Sequence, residues 1–233
     1  MRVELSLTPV GEPEPCAARV PLFAGLDLAQ LRRVSALARP VSLDAGEAWL
    51  LPGERTERFC VVHRGTLALT RGSATGQERV VRMVEASDSV GEHEFLTGEP
   101  SHYGARALTP TRLCTFSHEE VAHFLAEYPG IGARVMRTLA VRLAEAERRL
   151  AQERLPVTAR IAEYLVGLPA VRDGDGVVVS LTVPKKDVAS LLGTTPEAFS
   201  RGLRRLADEG LVRVAGPRVT LVDPEALEAL SAR

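Results

Sequence analysis

Cysteine is scarce. Cys16, Cys60 and Cys114 are the chain's 3 cysteines, widely spaced and without a CxxC pair. An odd, scattered set indicates neither a disulfide framework nor a thiolate zinc site, and it fits a reducing cytoplasm. No apolar run approaches the roughly 18 residues of a membrane span. Residues 1–20, with Pro9, Pro13 and Pro15 among scattered acids, lack the basic start and apolar stretch of a signal peptide. A cytoplasmic protein without a membrane partner is expected. Global charge is missing too: the formal net charge is −1 at pH 7, so any nucleic-acid footprint has to be local. Catalytic signatures are absent. There is no Gly-rich phosphate loop, nucleophile elbow or Cys/His dyad, and HEEVAH at His118 to His123 is no zinc-protease motif. Histidines five apart lie about 140° apart around a helix, whereas an i, i+4 pair shares one metal face. No metal-ligand set is read from the spacing, and no enzymatic activity is expected.

What is present suits an ordinary globular protein, 45% hydrophobic and 25% charged over 233 residues, enough for two modest domains. Residues 1–20 read as a loosely ordered arm. From Pro21 a short helix follows Asp27, a plausible N-cap, with Leu28, Leu31, Val34 and Leu37 on one face. Between 40 and 116, short runs (Phe59 to His63, Thr66 to Thr70, Val80 to Val84, Arg106 to Leu108, Arg112 to Phe116) alternate with glycine turns. Such regular short strands indicate a β-roll or barrel-like sandwich. Ser117 and Glu120 then make a capping box, and Pro129 opens a long helix to about Glu153. Met136, Leu139, Leu143, Ala146 and Leu150 recur at spacings of 3, 4, 3 and 4, a heptad seam for a parallel homodimer. Ile131, Val135 and Leu139 form a second stripe that can lean on the roll. Leu155-Pro156 ends that helix and marks a hinge. The predicted organisation is α+β: an arm (1–20), a β-roll sensor domain (21–128), a dimerisation helix (129–155) and a DNA-binding domain (156–233).

In that last part, a helix from Val157 to Leu168 and a strand from Val177 to Val183 precede two short helices, Lys185 to Leu192 and Pro196 to Glu209. Gly193-Thr194-Thr195 breaks the pair, Thr195 can cap and Pro196 takes the first helical position. Leu211 to Val214 and Arg218 to Val222 form a hairpin, completing a winged helix-turn-helix. Phe199, Leu203 and Leu206 bury one face of the second helix, leaving Glu197, Ser200, Arg201, Arg204 and Arg205 outside. Between Pro184 and Arg205, five basic residues stand against Asp187 and Glu197, a local positive patch. Arginine pairs with guanine O6 and N7, and glutamate accepts from cytosine N4. A solvated face used only for protein contact is the bland alternative.

The roll with GLDLAQL near its start and VGEHEF near its end, the long helix, and VASLLGTTPEAFSRGLRRLADEGLV together resemble the Crp/Fnr superfamily of bacterial transcription regulators over about residues 21–231. The resemblance implies a cyclic-nucleotide-binding-like jelly roll ahead of a winged helix-turn-helix. It also implies a homodimer that binds double-stranded DNA and contacts RNA polymerase. The family's Glu-x-x-Ser-Arg falls on Glu197, Ser200 and Arg201. By likeness Arg201 contacts guanine, Glu197 a cytosine, and Ser200 favours a TTGA over a TGTGA half-site. Pro196, where the cyclic-AMP-type member carries arginine, points the same way. Thr194, Thr195, Lys185, Lys186, Arg204 and the wing residue Arg218 are the phosphate candidates.

The resemblance places the effector pocket around Gly91, Glu92, His93, Ser101 and His102, but the cassette's phosphate-binding arginine is missing and Glu92, Glu94 and Glu99 crowd the segment. A cyclic phosphate loses its charge-assisted partner there, so cyclic AMP is not expected. An iron–sulfur cluster needs four thiolates, which one chain cannot supply. Haem, as in the nitric-oxide-responsive branch, is the cofactor the likeness leaves, with His63, His93, His102, Met83, Cys60 and Cys114 as candidate ligands. A regulator without an effector, or one controlled by cysteine oxidation, is the alternative. A cupin-like metal-dependent enzyme with an appended DNA-binding domain is the alternative of another class; it calls for clustered His and Glu on facing strands.

Overall fold

A computed structural model describes residues 23–72, 78–152, 155–173 and 176–231. The expected arm (1–20), Cys16 and the expected end of the long helix at Glu153 lie outside the described residues. Helix α1 (Leu28–Leu37) opens with the capping box its sequence signals: Asp27 accepts from the Gln30 backbone and Gln30 reaches back to the Asp27 N–H, each at 2.8 Å.

The roll follows as two four-stranded antiparallel sheets. One holds β1 (Arg39–Leu43), β8 (Thr111–Ser117), β3 (Arg58–Arg64) and β6 (Ser89–Val90), in that order. The other holds β2 (Ala48–Leu50), β7 (Gly104–Ala107), β4 (Leu67–Gly72) and β5 (Glu78–Val84). Strand β3 has both faces covered, so its sequence reads as a continuous apolar run instead of alternating. Cys60 and Val62 point into the roll among Leu50, Leu67, Val84 and Leu113. Phe59 and Val61 point out, onto Phe23, Val34, Phe116 and Phe124. Phe23, Phe116 and Phe124 meet edge to face with centroids 5.9–6.3 Å apart, the geometry aromatic quadrupoles favour.

Within the roll, three strands and one helix were not expected. Strand β1 contains Pro40, which argues against a central strand. It is tolerated because β1 lies at the sheet edge and pairs with β8 alone. Strands β2 and β6 are three and two residues long, too short for a pattern. Helix α2 (Glu92–Thr97) has six residues between Gly91 and Gly98, both in the left-handed region, and is likewise below the length at which periodicity shows.

Helix α3 (His118–Glu127) carries the Ser117–Glu120 capping box. Helix α4 (Pro129–Gln152) then runs 24 residues, about 36 Å at 1.5 Å per residue. Ile131 is buried and Val135 packs against the outer roll cluster, as the second stripe predicted. The heptad stripe is largely bare: Met136, Leu143 and Leu150 are 67%, 61% and 67% exposed and Ala146 is exposed, while Leu139, common to both stripes, is half-buried.

The C-terminal unit comprises α5 (Val157–Val166), β9 (Ala170–Asp173), β10 (Gly176–Ser180), α6 (Lys185–Leu191), α7 (Pro196–Asp208), β11 (Val212–Ala215), β12 (Arg218–Leu221) and α8 (Pro224–Ser231). Its sheet has the order β11-β12-β10-β9. The strand read as extending to Val183 stops at Ser180: Leu181 still donates to the Pro217 carbonyl, but Pro217 has no N–H to extend the ladder, and Pro184 takes the N-cap position of α6. Helices α5 and α7 cross at Gly202, where a Cβ would stand 2.6 Å from Ile161 Cδ1, so a larger residue would force the end of the Ile161 side chain to move. One apolar cluster runs from this unit into the roll: Ile161, Leu165, Val188, Phe199 and Leu206 join Ala68, Val80 and Leu108.

Candidate functional site

Helix α7 is positioned by its cap and its buried face. Thr195 is extended and its hydroxyl accepts from the Ala198 N–H at 3.2 Å, with Pro196 following at the first helical position. Phe199, Leu203 and Leu206 are buried at 0–3%. Glu197, Ser200, Arg201, Arg204 and Arg205 are consequently outside, and all five are exposed. On a helix, positions 197, 200, 201 and 204 share one side. Bonds from its own N–H and the Thr195 hydroxyl hold the Glu197 carboxyl below its ordinary value, with Arg201 adding to the effect. It is therefore an anionic acceptor, the form that pairs with a cytosine amino group.

The phosphate candidates divide. Lys185 and Lys186 are exposed at the start of α6. Lys185, Ser200, Arg204 and Arg213 line an open groove of about 770 Å³ between α7 and the hairpin. Arg213 was not among the sequence candidates, although its exposed place in the alternating VRVA strand signals it. Arg218 instead pairs with Asp173 across the wing sheet. Both are more than half exposed, so the pair is weak. Thr194 is half-buried in the turn, its N–H bonded to the Ala189 carbonyl. Asp187, counted against the basic patch, is withdrawn from it: 3% exposed, it accepts from Arg106 Nη2 of the roll at 2.5 Å. Beside that pair the Val80 N–H donates to Ser190 Oγ at 2.8 Å. The first helix of the motif thus docks on β5 and its neighbours.

At the sensor candidates, Gly91 has φ 107° and a Cβ there would lie 2.8 Å from the Arg58 carbonyl oxygen, so the turn into α2 requires glycine. Glu92 is buried. It accepts from Ser89 Oγ and from Arg142 Nη1 of α4, the latter at 2.6 Å, while Arg142 Nη2 also reaches the Ser89 carbonyl at 3.1 Å. Arg82 donates to the same carbonyl at 3.0 Å, and burial followed by repulsion from Arg142 lowers its guanidinium from the ordinary value. Sequence reasoning missed both arginines, since they lie outside the cassette, on β5 and α4. Ser101 is 2% exposed, its backbone tied to Gly53 and Glu54. His93 and His102 stand with ring centroids 5.0 Å apart.

Apart from the His93–His102 pair, the haem candidates do not converge. His63 is exposed on β3, Met83 packs at the interdomain cluster, and Cys60 and Cys114 are reduced thiols buried on opposite faces of the sheet. Burial foremost pushes the Cys60 thiol well up, which opposes reactive-thiol chemistry. The apolar cavity beside Glu92, walled by Phe59, Phe95, Leu96, Phe124 and Ile131, is about 10 Å³. That is roughly one water, not a porphyrin, so these residues as arranged do not fit haem. One further histidine was passed over: His118 Nε2 is buried without a partner and its ring meets Phe95 at 5.4 Å. Buried polar side chains of the described roll include Thr70, Thr111 and Thr115, while His63 and His102 are exposed and His93 is half-buried, unlike the clustered His and Glu on facing strands of the cupin-like alternative.

Residues 40–128 match the family described as cyclic nucleotide-binding domain, and 159–230 the one described as Crp-like helix-turn-helix domain. The CRP-like cAMP-activated global transcriptional regulator of Mycobacterium tuberculosis is 24% identical over 214 residues, covering 90% of this chain and 96% of its own. The probable transcriptional regulator flp of Lacticaseibacillus casei is 28% identical over 216 residues, covering 91% and 96%. The structure of FixK2 from Bradyrhizobium japonicum shares the fold, with a TM-score of 0.75 at 20% identity over 84% of this chain and 98% of that one. A CRP/FNR-family transcriptional regulator of Thermus thermophilus is 27% identical with a TM-score of 0.65, over 84% and 99%. The Mycobacterium and Lacticaseibacillus relatives bear the names of transcriptional regulators, and no described helix is long and apolar enough to cross a membrane. With the two domain matches in this order, joined by the long helix, the chain belongs to the Crp/Fnr superfamily of transcription regulators.

Proposed function

We propose that the protein is a homodimer that binds an inverted repeat with TTGA-like half-sites and is controlled through its β-roll by an effector other than cyclic AMP. The observation that carries this is the exposed Glu197–Ser200–Arg201 face of α7, braced from behind by Phe199, Leu203 and Leu206. Arg201 is assigned to guanine and Glu197 to cytosine. Lys185, Lys186, Thr194, Thr195, Arg204 and Arg213 take the flanking phosphates, with Arg218 released from Asp173 on contact. The bare stripe on α4 supports a parallel dimer seam, which would set two α7 helices one turn of DNA apart, roughly 34–36 Å. RNA polymerase is the further partner, and the cytoplasm the compartment, that go with this role.

The effector side rests on Glu92. Its carboxylate is already held by Arg142 and Ser89, so a ribose and cyclic phosphate would compete with an internal ion pair. Haem with nitric oxide is the resemblance's candidate, and the residues as arranged do not fit it. The test is fluorescence anisotropy on a labelled TTGA inverted repeat. Arg201→Ala is expected to lose about 1–3 kcal/mol, roughly 5–150-fold, of the preference for that repeat over one whose half-site guanine is replaced. Unchanged preference refutes the assignment.

A further inference from the structure

We propose that His93, Glu99 and His102 bind a divalent transition cation of the kind imidazole prefers, zinc or nickel, and that its occupancy braces α2 against α4. The binding part stands on local geometry; the transmission part rests on the regulator reading above.

One ligand atom from each of the three residues falls within 4.8 Å of the others. Glu99 Oε2 is 3.9 Å from His93 Nε2 and 3.8 Å from His102 Nε2. Bonds of about 2.0–2.2 Å in a tetrahedral zinc site hold ligand atoms roughly 3.3–3.5 Å apart. The two Glu99 spacings close with a shift of about half an ångström and the histidine–histidine edge, within 4.8 Å, with up to about 1.5 Å, within reach because the Glu99 and His102 side chains are 62% and 61% exposed. Left to themselves these groups gain little, since exposed pairs at such distances contribute almost nothing. His93 Nε2 is moreover buried with no hydrogen-bond partner, an arrangement that costs free energy unless something completes it. A cation completes all three. Two imidazole nitrogens and one carboxylate suit zinc, nickel or ferrous iron over calcium or magnesium, which take oxygen donors. Three protein ligands leave a position for water, the mark of an exchangeable site in contrast to a closed structural one.

The backbone frame is fixed independently. Thr97 Oγ1 donates to the His93 carbonyl at 2.8 Å and accepts from the Glu99 N–H at 3.1 Å. The Gly98 N–H caps α2 on the Glu94 carbonyl at 2.9 Å, and Ser101 is tied to Gly53 and Glu54 at 2.7 and 2.9 Å. The ligands therefore extend from a pinned segment and have only side-chain freedom to give up. The route outward is one residue long: Glu92, next to His93, meets Arg142 of α4 at 2.6 Å. Tightening the His93–His102 segment restrains α2, and through Glu92 it biases the setting of the long helix. In sequence the set is His-x5-Glu-x2-His, a spacing with no signature of its own.

The test uses the full chain stripped by chelator and titrated with zinc by calorimetry, and with nickel as a second probe. One site per chain in the micromolar range or tighter is expected. Affinity should fall at least tenfold in His102→Ala and in Glu99→Gln, and stay unchanged in His63→Ala and His123→Ala, with circular dichroism checking that each variant is folded. Binding undiminished in a folded His93→Ala/His102→Ala double variant, or no binding tighter than millimolar, overturns the site. Anisotropy on the TTGA repeat then reads the transmission: zinc should change DNA affinity at least threefold in wild type and not in His102→Ala. Zinc that binds without moving DNA affinity refutes the coupling and leaves the site standing. A chain that ignores the DNA with and without zinc refutes the regulator reading, whatever calorimetry shows.

Discussion

Replacing Arg106 by methionine should loosen the docking of the DNA-binding unit on the roll. The Asp187 side chain is 4% exposed, and the Arg106 guanidinium, 27% exposed, meets Oδ1 at 2.5 Å. Oδ2 has no partner, so Arg106 is the main compensation for a carboxylate held out of water. Breaking a buried pair by removing one member costs about 3–5 kcal/mol. Since Arg106 is partly solvated, about 2–4 kcal/mol is expected, a large share of the 5–15 kcal/mol that typically holds a domain. Replacing both members with apolar residues of similar volume should restore most of it, because no charge is then stranded. Urea unfolding of Arg106→Met, Asp187→Leu and the double variant forms the cycle, with a coupling above about 1.5 kcal/mol expected for residues in contact. Limited proteolysis should also cut the single variants faster near the Leu155-Pro156 junction as the units part. If Arg106→Met unfolds within about 0.5 kcal/mol of wild type, with unchanged proteolysis, the pair does not hold the units together and the reasoning fails.

Leu143→Glu places a carboxylate in the exposed stripe of α4 without touching the protomer's own core; sedimentation should turn from dimer to monomer at micromolar concentration, and a persistent dimer would move the interface elsewhere. Burial holds His118 below its ordinary 6.5. The unfolded chain thus binds more protons there, so its contribution is complete above pH 6.5 and is lost as pH falls toward the lower folded value. His118→Gln should flatten the stability-versus-pH curve in that window, and an unchanged slope would remove His118 as its source.

How much was legible follows from where the information sits. The recognition helix was readable because its determinants are local: Thr195 and Pro196 fix the start, and Phe199, Leu203 and Leu206 fix the face. The Asp27 and Ser117 caps were readable for the same reason. The α4 seam showed itself as a period, and its exposure in the protomer fits that period. Strand β1 was hidden because Pro40 is acceptable only at an edge, and edges are set by the whole sheet. The sensor site was least legible. Glu92 takes its partner from Arg142, 50 positions away, and Asp187 is buried by Arg106, 81 positions away. Neither contact leaves a mark on the neighbouring sequence, so a buried Asp187 was counted as part of an exposed patch.

Arg142 and Leu143 are consecutive residues of α4. The first reaches Glu92 of its own roll, and the second stands bare on the opposite stripe, 61% exposed. In a dimer closed along that stripe, each subunit's response to its effector would be felt by the other within one helical turn. Two occupied subunits would then be favoured or disfavoured as a pair. A steep or a flattened binding isotherm, read as a Hill coefficient away from one, becomes the signature of that adjacency. By reciprocity, DNA that selects one packing of the two helices would shift effector affinity by the same factor.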